Sequence, residues 1–163
     1  LRLKYEGLVE MIPNRGAFVA KPSEEDLRQV YRVREVLEHG MLEDAIRHRT
    51  EAQLRAMEEN LKAQEVLTQH YSRQEYVNLN HTFHWLVVEA SANKYYEKYL
   101  NELQNKVATY LLFWDSSTTN SLSLDLHLRI FEAFRDRDEQ KGVLALMEDL
   151  QLAEECVRES QQL

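Results

Sequence analysis

The stretch Ser23-Glu24-Glu25-Asp26-Leu27-Arg28-Gln29-Val30-Tyr31-Arg32-Val33-Arg34-Glu35-Val36-Leu37-Glu38-His39-Gly40-Met41-Leu42-Glu43-Asp44-Ala45 decides the fold. Leu27, Val30, Tyr31, Arg34, Leu37, Glu38, Met41, Leu42 and Ala45 recur at spacings of three and four, the period of an amphipathic helix. Ser23 is a good cap, and the three acidic residues after it suit the positive end of the helix dipole. The spacing predicts a helix ending near His48. Arg34 and Glu38 stand in register with its apolar face.

The same pattern continues toward the C-terminus. Thr50 opens a second helix, with Leu54, Met57, Leu61 and Val66 on its buried face. Ser72-Arg73-Gln74-Glu75 fits a capping box and starts a third, carrying Tyr76, Leu79, Phe83, Leu86, Val87 and Ala90. Asn93 is a stop or a cap. A fourth helix carries Tyr96, Leu100, Leu103, Val107, Tyr110, Leu111 and Trp114. Ser116-Ser117-Thr118-Thr119-Asn120 reads as a loop by composition. A fifth helix is expected over Leu124 to about Phe134, and a sixth, capped by Asp138, from about Glu139 to Arg158. Toward the N-terminus the composition changes. Both prolines and two of the four glycines fall in the first 22 positions. There the runs Leu8–Ile12 and Ala17–Ala20 flank Pro13-Asn14-Arg15-Gly16, a turn signal that predicts a small hairpin. Leu1–Glu6 fits the end of a helix stopped by Gly7. The fold class is therefore all-α: an antiparallel bundle of about six helices preceded by a small β-hairpin.

Composition limits the function. The chain has 163 residues and a net charge of −8, so the chain as a whole does not carry the basic footprint that phosphate binding needs. One cysteine, Cys156, excludes an internal disulfide framework and a cysteine-based zinc finger, and reads as a packing residue. The chain contains no apolar run of about 18 residues and no visible leader, which argues for a cytoplasmic protein with no membrane partner. It opens mid-pattern, as a fragment of a longer protein would.

Polar residues on apolar faces are the candidates for chemistry. Asn80 and His84 are four apart on the third helix, interleaved with Phe83 and Val87. His127 precedes Ile130 and Phe131 on the fifth, and Asp149 lies between Leu146 and Leu150 on the sixth. A bundle can turn such groups inward to form a metal or ligand cavity. The bland readings stand beside this one: histidines satisfied in a core, Asp149 solvated in an acidic helix, Arg34 paired with Glu38 four residues on. No nucleophile elbow, H-E-x-x-H or supported Cys-His pair is present, so an enzyme is not expected. The alternative is a metal-dependent enzyme or small-molecule-binding protein using the same His/Asp cavity. It would need an open coordination position and a placed general base; Glu89 and Asp125 lie near the right helices, but nothing in the sequence positions either.

The order of these features resembles the FadR subfamily of GntR-family transcriptional regulators, and in particular the C-terminal effector-binding FCD domain. Leu3–Val9 and Pro13-Asn14-Arg15-Gly16-Ala17-Phe18-Val19 resemble the end of the recognition helix and the wing of a winged helix-turn-helix. Val33-Arg34-Glu35-Val36-Leu37-Glu38 resembles the family's R-x-x-L-E element. Phe83-His84 with Ser91-Ala92-Asn93 resembles its D-x-x-F-H and S-x-N, and His127 with Arg137-Asp138 completes the series. The resemblance divides the chain into residues 1–21, the remnant of the DNA-binding domain, and residues 22–163, the effector-binding domain. It implies a divalent metal, zinc or nickel, held by one Asp and three His. By position that set is Asn80, His84, His127 and Asp149, with Asn where the family has Asp and Asp where it has the third His. Two imidazoles with one carboxylate remain a legitimate metal site. A metal-free pocket whose histidines bind an acid directly is the other reading. The resemblance further implies operator DNA touched by Arg15 at the wing tip, a small organic acid held by Arg34, His84 and His127, and a homodimer. Tyr95, Tyr99 and Phe113 are candidates for its surface. Arg15 could equally be a plain turn residue.

Overall fold

The computed structural model describes residues 9–20, 23–111 and 117–160. Among them the chain forms a two-stranded antiparallel sheet, β1 (Val9–Ile12) and β2 (Gly16–Val19). Six helices follow: α1 (Glu24–His48), α2 (Glu51–Gln69), α3 (Arg73–Ala90), α4 (Lys94–Leu111), α5 (Ser117–Asp136) and α6 (Glu139–Ser160). The helix expected over Leu1–Glu6 lies outside the described residues. So do the side chains of Tyr110, Leu111, Phe113 and Trp114.

In the hairpin, Val9 pairs with Val19 and Ile12 with Gly16. Arg15 N donates to the Ile12 carbonyl at 3.0 Å. Asn14 and Gly16 take φ of 60° and 101°, the left-handed region that Asn and Gly tolerate best. Met11, Phe18 and Val19 are exposed. A two-stranded ribbon without a buried face is not stable by itself.

The helix boundaries follow local chemistry. Ser23 Oγ accepts from Asp26 N at 3.1 Å. Ser72 Oγ accepts from Glu75 N at 3.4 Å. The full reciprocal capping box forms at Thr50, whose N–H donates to Gln53 Oε1 at 2.8 Å while its Oγ1 accepts from Gln53 N. Asn93 caps α4, accepting from Tyr95 N at 3.0 Å. Asp138 caps α6, accepting from Lys141 N at 3.0 Å. Where α1 and α5 both end, two arginines exchange places. Arg137 donates to the Ile46 and Arg47 carbonyls closing α1 (3.3 and 2.9 Å), and Arg49 donates to the Phe134 and Arg135 carbonyls closing α5. Each supplies the donors that a helix C-terminus lacks.

Two expectations need correction. Val66 is exposed, and the buried stripe of α2 runs through Gln64 to Leu67 instead. The segment Ser117–Asn120 is helical, and α5 begins about two turns before Leu124. Ser, Thr and Asn are weak helix formers, but tertiary contact overrides propensity. Here Ser123 is buried and its Oγ lies 3.0 Å from the Tyr76 hydroxyl of α3, tying the early part of α5 to the bundle.

The apolar interior falls into two clusters. The larger holds Met41, Leu42, Ile46, Met57, Phe83, Val87, Leu100, Ile130, Phe134 and Leu146. The smaller holds Leu27, Val30, Tyr31, Val107, Leu150 and Val157. Along α1 the boundary is Arg34 and Glu38, between Tyr31 and Met41; along α6 it is Asp149, between Leu146 and Leu150. Gly142 of α6 lets α1 and α5 approach closely: a Cβ there would lie 2.7 Å from Ile46 Cδ1 and 3.3 Å from Ala133 Cβ.

Candidate metal centre

Three buried side chains from three helices meet at the boundary between the two clusters. His84 Nε2 lies 3.2 Å from Asp149 Oδ2, and His127 Nε2 lies 3.6 Å from Asp149 Oδ1. One potential ligand atom from each of His84, His127 and Asp149 falls within 4.8 Å of the others. The His127 ring is fully enclosed. Phe83 stacks on it with centroids 4.2 Å apart and planes at 19°, while His84 meets it edge-on at 5.1 Å.

The charges are arranged around the carboxylate. Burial pushes His127 down to about 3, so the ring is neutral. Burial alone would raise the Asp149 carboxyl. The His84 hydrogen bond, together with the positive charge of Arg34, outweighs it and keeps Asp149 below the usual carboxylate range. An ionised carboxylate therefore faces a neutral imidazole. His127 Nδ1 lies 2.8 Å from Gln64 Oε1, while its Nε2 is buried without a hydrogen-bond partner. With the proton on Nδ1, a nitrogen lone pair points toward a carboxylate oxygen, and neither offers the other a hydrogen. A cation between them satisfies both, so the donor set fits a divalent metal.

Asn80 is half-buried and lines the same cavity, which measures about 40 Å³. That is room for a few water-sized groups. Arg34, Tyr76, His81, Gln104 and Ser123 contribute the rest of its polar wall. Arg34 is as buried as its alternative reading required: its Nε donates to Glu38 Oε1 at 2.7 Å. Burial works against its charge, and Glu38 more than restores it. A guanidinium has five N–H groups, so the pair with Glu38 leaves donors for the cavity that Arg34 lines. Gln104 is buried with both amide atoms unpartnered.

Sequence reading missed Asn60, Gln64, His81 and Gln104. The signal for two of them was present: Gln64 is three residues from both Leu61 and Leu67, and Gln104 falls between Leu100 and Val107. Glu89 and Asp125, the bases an enzyme would need, are exposed and outside the cavity; Glu89 accepts from Trp85 Nε1 at 2.8 Å. Arg15 is exposed at the hairpin turn, with its guanidinium 5.5 Å from the Phe18 ring centroid. Val33, Val36, Tyr95 and Tyr99 are exposed on α1 and α4. Among the described residues no helix is long and apolar enough to cross a membrane.

A family model described as "FCD domain" matches residues 29–152. The "HTH-type transcriptional repressor RspR" of Escherichia coli K12 is 27% identical over 99% of this chain and 72% of its own length. Among solved structures, E. coli McbR/YncC superposes with a TM-score of 0.89 at 16% identity, over 99% of this chain and 81% of that one. The metal-free FCD domain of TM0439 gives 0.72 at 15%, over 88% and 99%.

Proposed function

The chain belongs to the FCD domain family, and from that premise we propose that it is the sensing part of a DNA-binding transcriptional regulator. Residues 22–163 bind a small carboxylate effector. Residues 1–21 belong to a winged helix-turn-helix that grips operator DNA, with the β1–β2 hairpin as its wing. Exposed apolar side chains on the hairpin support this division, because a ribbon with no buried face needs the rest of a domain against it. Arg15 contacts a phosphate or the minor groove. The protein works in the cytoplasm as a homodimer, for which Val33, Val36, Tyr95 and Tyr99 offer apolar surface.

His84, His127 and Asp149 hold a divalent metal, zinc or nickel, with Asn80 as a neutral oxygen donor beside them. The observation that carries this is the buried His127 Nε2, unpartnered and 3.6 Å from Asp149 Oδ1. When bound, the ion would supply positive charge that attracts an anionic oxygen of the effector. Arg34 holds the acid from the other side with the N–H groups not engaged by Glu38. Gln104 offers one donor and one acceptor to the same ligand, which accounts for an amide otherwise buried at a cost. Effector and operator then alter each other's affinity by the same factor.

Metal content of tag-free protein, measured by plasma mass spectrometry for wild type and His84→Ala, tests the centre. Near-stoichiometric metal lost in the variant is expected. No metal in either sample after soaking with zinc and nickel would refute it and leave Arg34 and the histidines as a direct anion pocket.

A further inference from the structure

Three hydrogen bonds lead from the main chain of α3 to the ring of His127. Asn60 Nδ2 donates to the Leu79 carbonyl at 3.2 Å. Gln64 Nε2 donates to Asn60 Oδ1 at 2.6 Å. Gln64 Oε1 lies 2.8 Å from His127 Nδ1. Both amides are buried in the bundle.

The direction of this chain is forced from one end. A main-chain carbonyl can only accept, so Asn60 must turn its NH₂ toward Leu79. Its oxygen is then left for Gln64, which must present its own NH₂ to Asn60. The Gln64 oxygen is left for His127, and only an Nδ1–H satisfies it. In a neutral imidazole Nε2 then carries the lone pair. Asp149 pulls the other way: the negative charge of Oδ1, 3.6 Å off, favours a hydrogen on Nε2, which would remove the lone pair a metal needs. Stacking on Phe83 fixes the plane of the ring but is indifferent to which nitrogen is protonated. The choice therefore falls to the two amides.

We propose that Asn60 and Gln64 are positioning residues that impose the Nδ1–H tautomer on His127, with the Leu79 carbonyl as the fixed end of the relay. They set up Nε2 for ligation although neither approaches the metal. This rests on the metal reading only in what the tautomer is for.

The test begins with metal-free, ¹⁵N-labelled protein. Long-range ¹H–¹⁵N correlation of the histidine side chains reads the His127 tautomer directly. Wild type should show Nδ1–H. Gln64→Met, close in shape but without an acceptor, should move the ring to Nε2–H or to a mixture. Gln64→Glu keeps an acceptor for Nδ1–H, although not the donor to Asn60 Oδ1, and should keep the ring in the Nδ1–H form. In zinc competition with a chelator, Gln64→Met should bind roughly ten- to a hundredfold more weakly, and Gln64→Glu within a few-fold of wild type. An Nε2–H ring in wild type overturns the relay without needing any variant to fold. So does a folded Gln64→Met that keeps both tautomer and affinity. Failure of wild type to take zinc overturns the metal reading instead, so the two failures are distinguishable.

Discussion

Acidification should weaken the metal-free bundle through His127 in particular. In the unfolded chain the imidazole titrates near 6.5, and in the folded chain near 3. Between those values the unfolded state binds a proton that the folded state refuses, so stability is fully present above about 6.5 and falls as the pH drops. The slope approaches about 1.4 kcal/mol per pH unit for one proton, which gives about 2 kcal/mol lost by pH 5. For a chain of this size 1 kcal/mol corresponds to about 2–4 °C in Tm, so roughly 4–8 °C is at stake. Asp149 acts in the same sense at lower pH, because its carboxyl is held below 3.8 and its contribution is lost only under stronger acid. The assay is urea unfolding at pH 7 and pH 5 with a chelator present, for wild type and His127→Leu. The leucine leaves Gln64 Oε1 unpaired, at a cost of about 1–3 kcal/mol that is the same at both pH values and cancels in the comparison. Wild type should lose about 2 kcal/mol more than the variant between the two conditions. Equal losses would refute the claim that the folded protein holds this ring neutral.

Gly142→Ala should destabilise the fold by about 1–2 kcal/mol in thermal melts, because the clash with Ile46 and Ala133 outweighs the roughly 1 kcal/mol that alanine gains in helix propensity. An unchanged or raised Tm would show that the three helices can part freely there. Arg34→Met should cost about 3–5 kcal/mol by stranding the buried Glu38, while Arg34→Met with Glu38→Leu should recover most of it; equal urea midpoints for the two would contradict a coupled buried pair. Asp149→Asn keeps the shape of the side chain but removes the only anion of the His84–His127–Asp149 triad. Zinc affinity by chelator competition should fall more than about a hundredfold, beyond what loss of an outer partner costs. Retained affinity would place the metal elsewhere.

The sequence carried the fold through periodicity and caps: Ser23, Asn93 and Asp138 start helices where expected, and the turn at Pro13–Gly16 forms the hairpin. It carried His84, His127 and Asp149 because polar groups inside an apolar stripe stand out. Asn60 and Gln64 were hidden for the opposite reason. Uncharged amides usually belong to a solvated helix face, and only the Leu61–Gln64–Leu67 spacing marks Gln64 as an exception. Val66 and Leu67 are adjacent, so a one-residue drift of the stripe exchanged them. Arg34 was legible as buried, but its hold on Glu38 and its place in the cavity were read as rivals when both occur. Nothing local distinguishes Ser117–Asn120 from a loop; the contact that ties this end of α5 to the bundle, Ser123 with Tyr76, comes from 47 residues away in the chain.

The arginines exchanged between the ends of α1 and α5 bear on how the bundle comes apart. Their partners lie 85 to 91 residues away along the chain. Such a contact must wait until the intervening helices have docked, since closing a loop of that length costs entropy that only the assembled bundle offsets. Bonds made after the rate-limiting step of folding leave the folding rate alone and slow the reverse reaction. Arg49 and Arg137 thus act as a latch on escape: without them the chain should fold at much the same rate and unfold sooner.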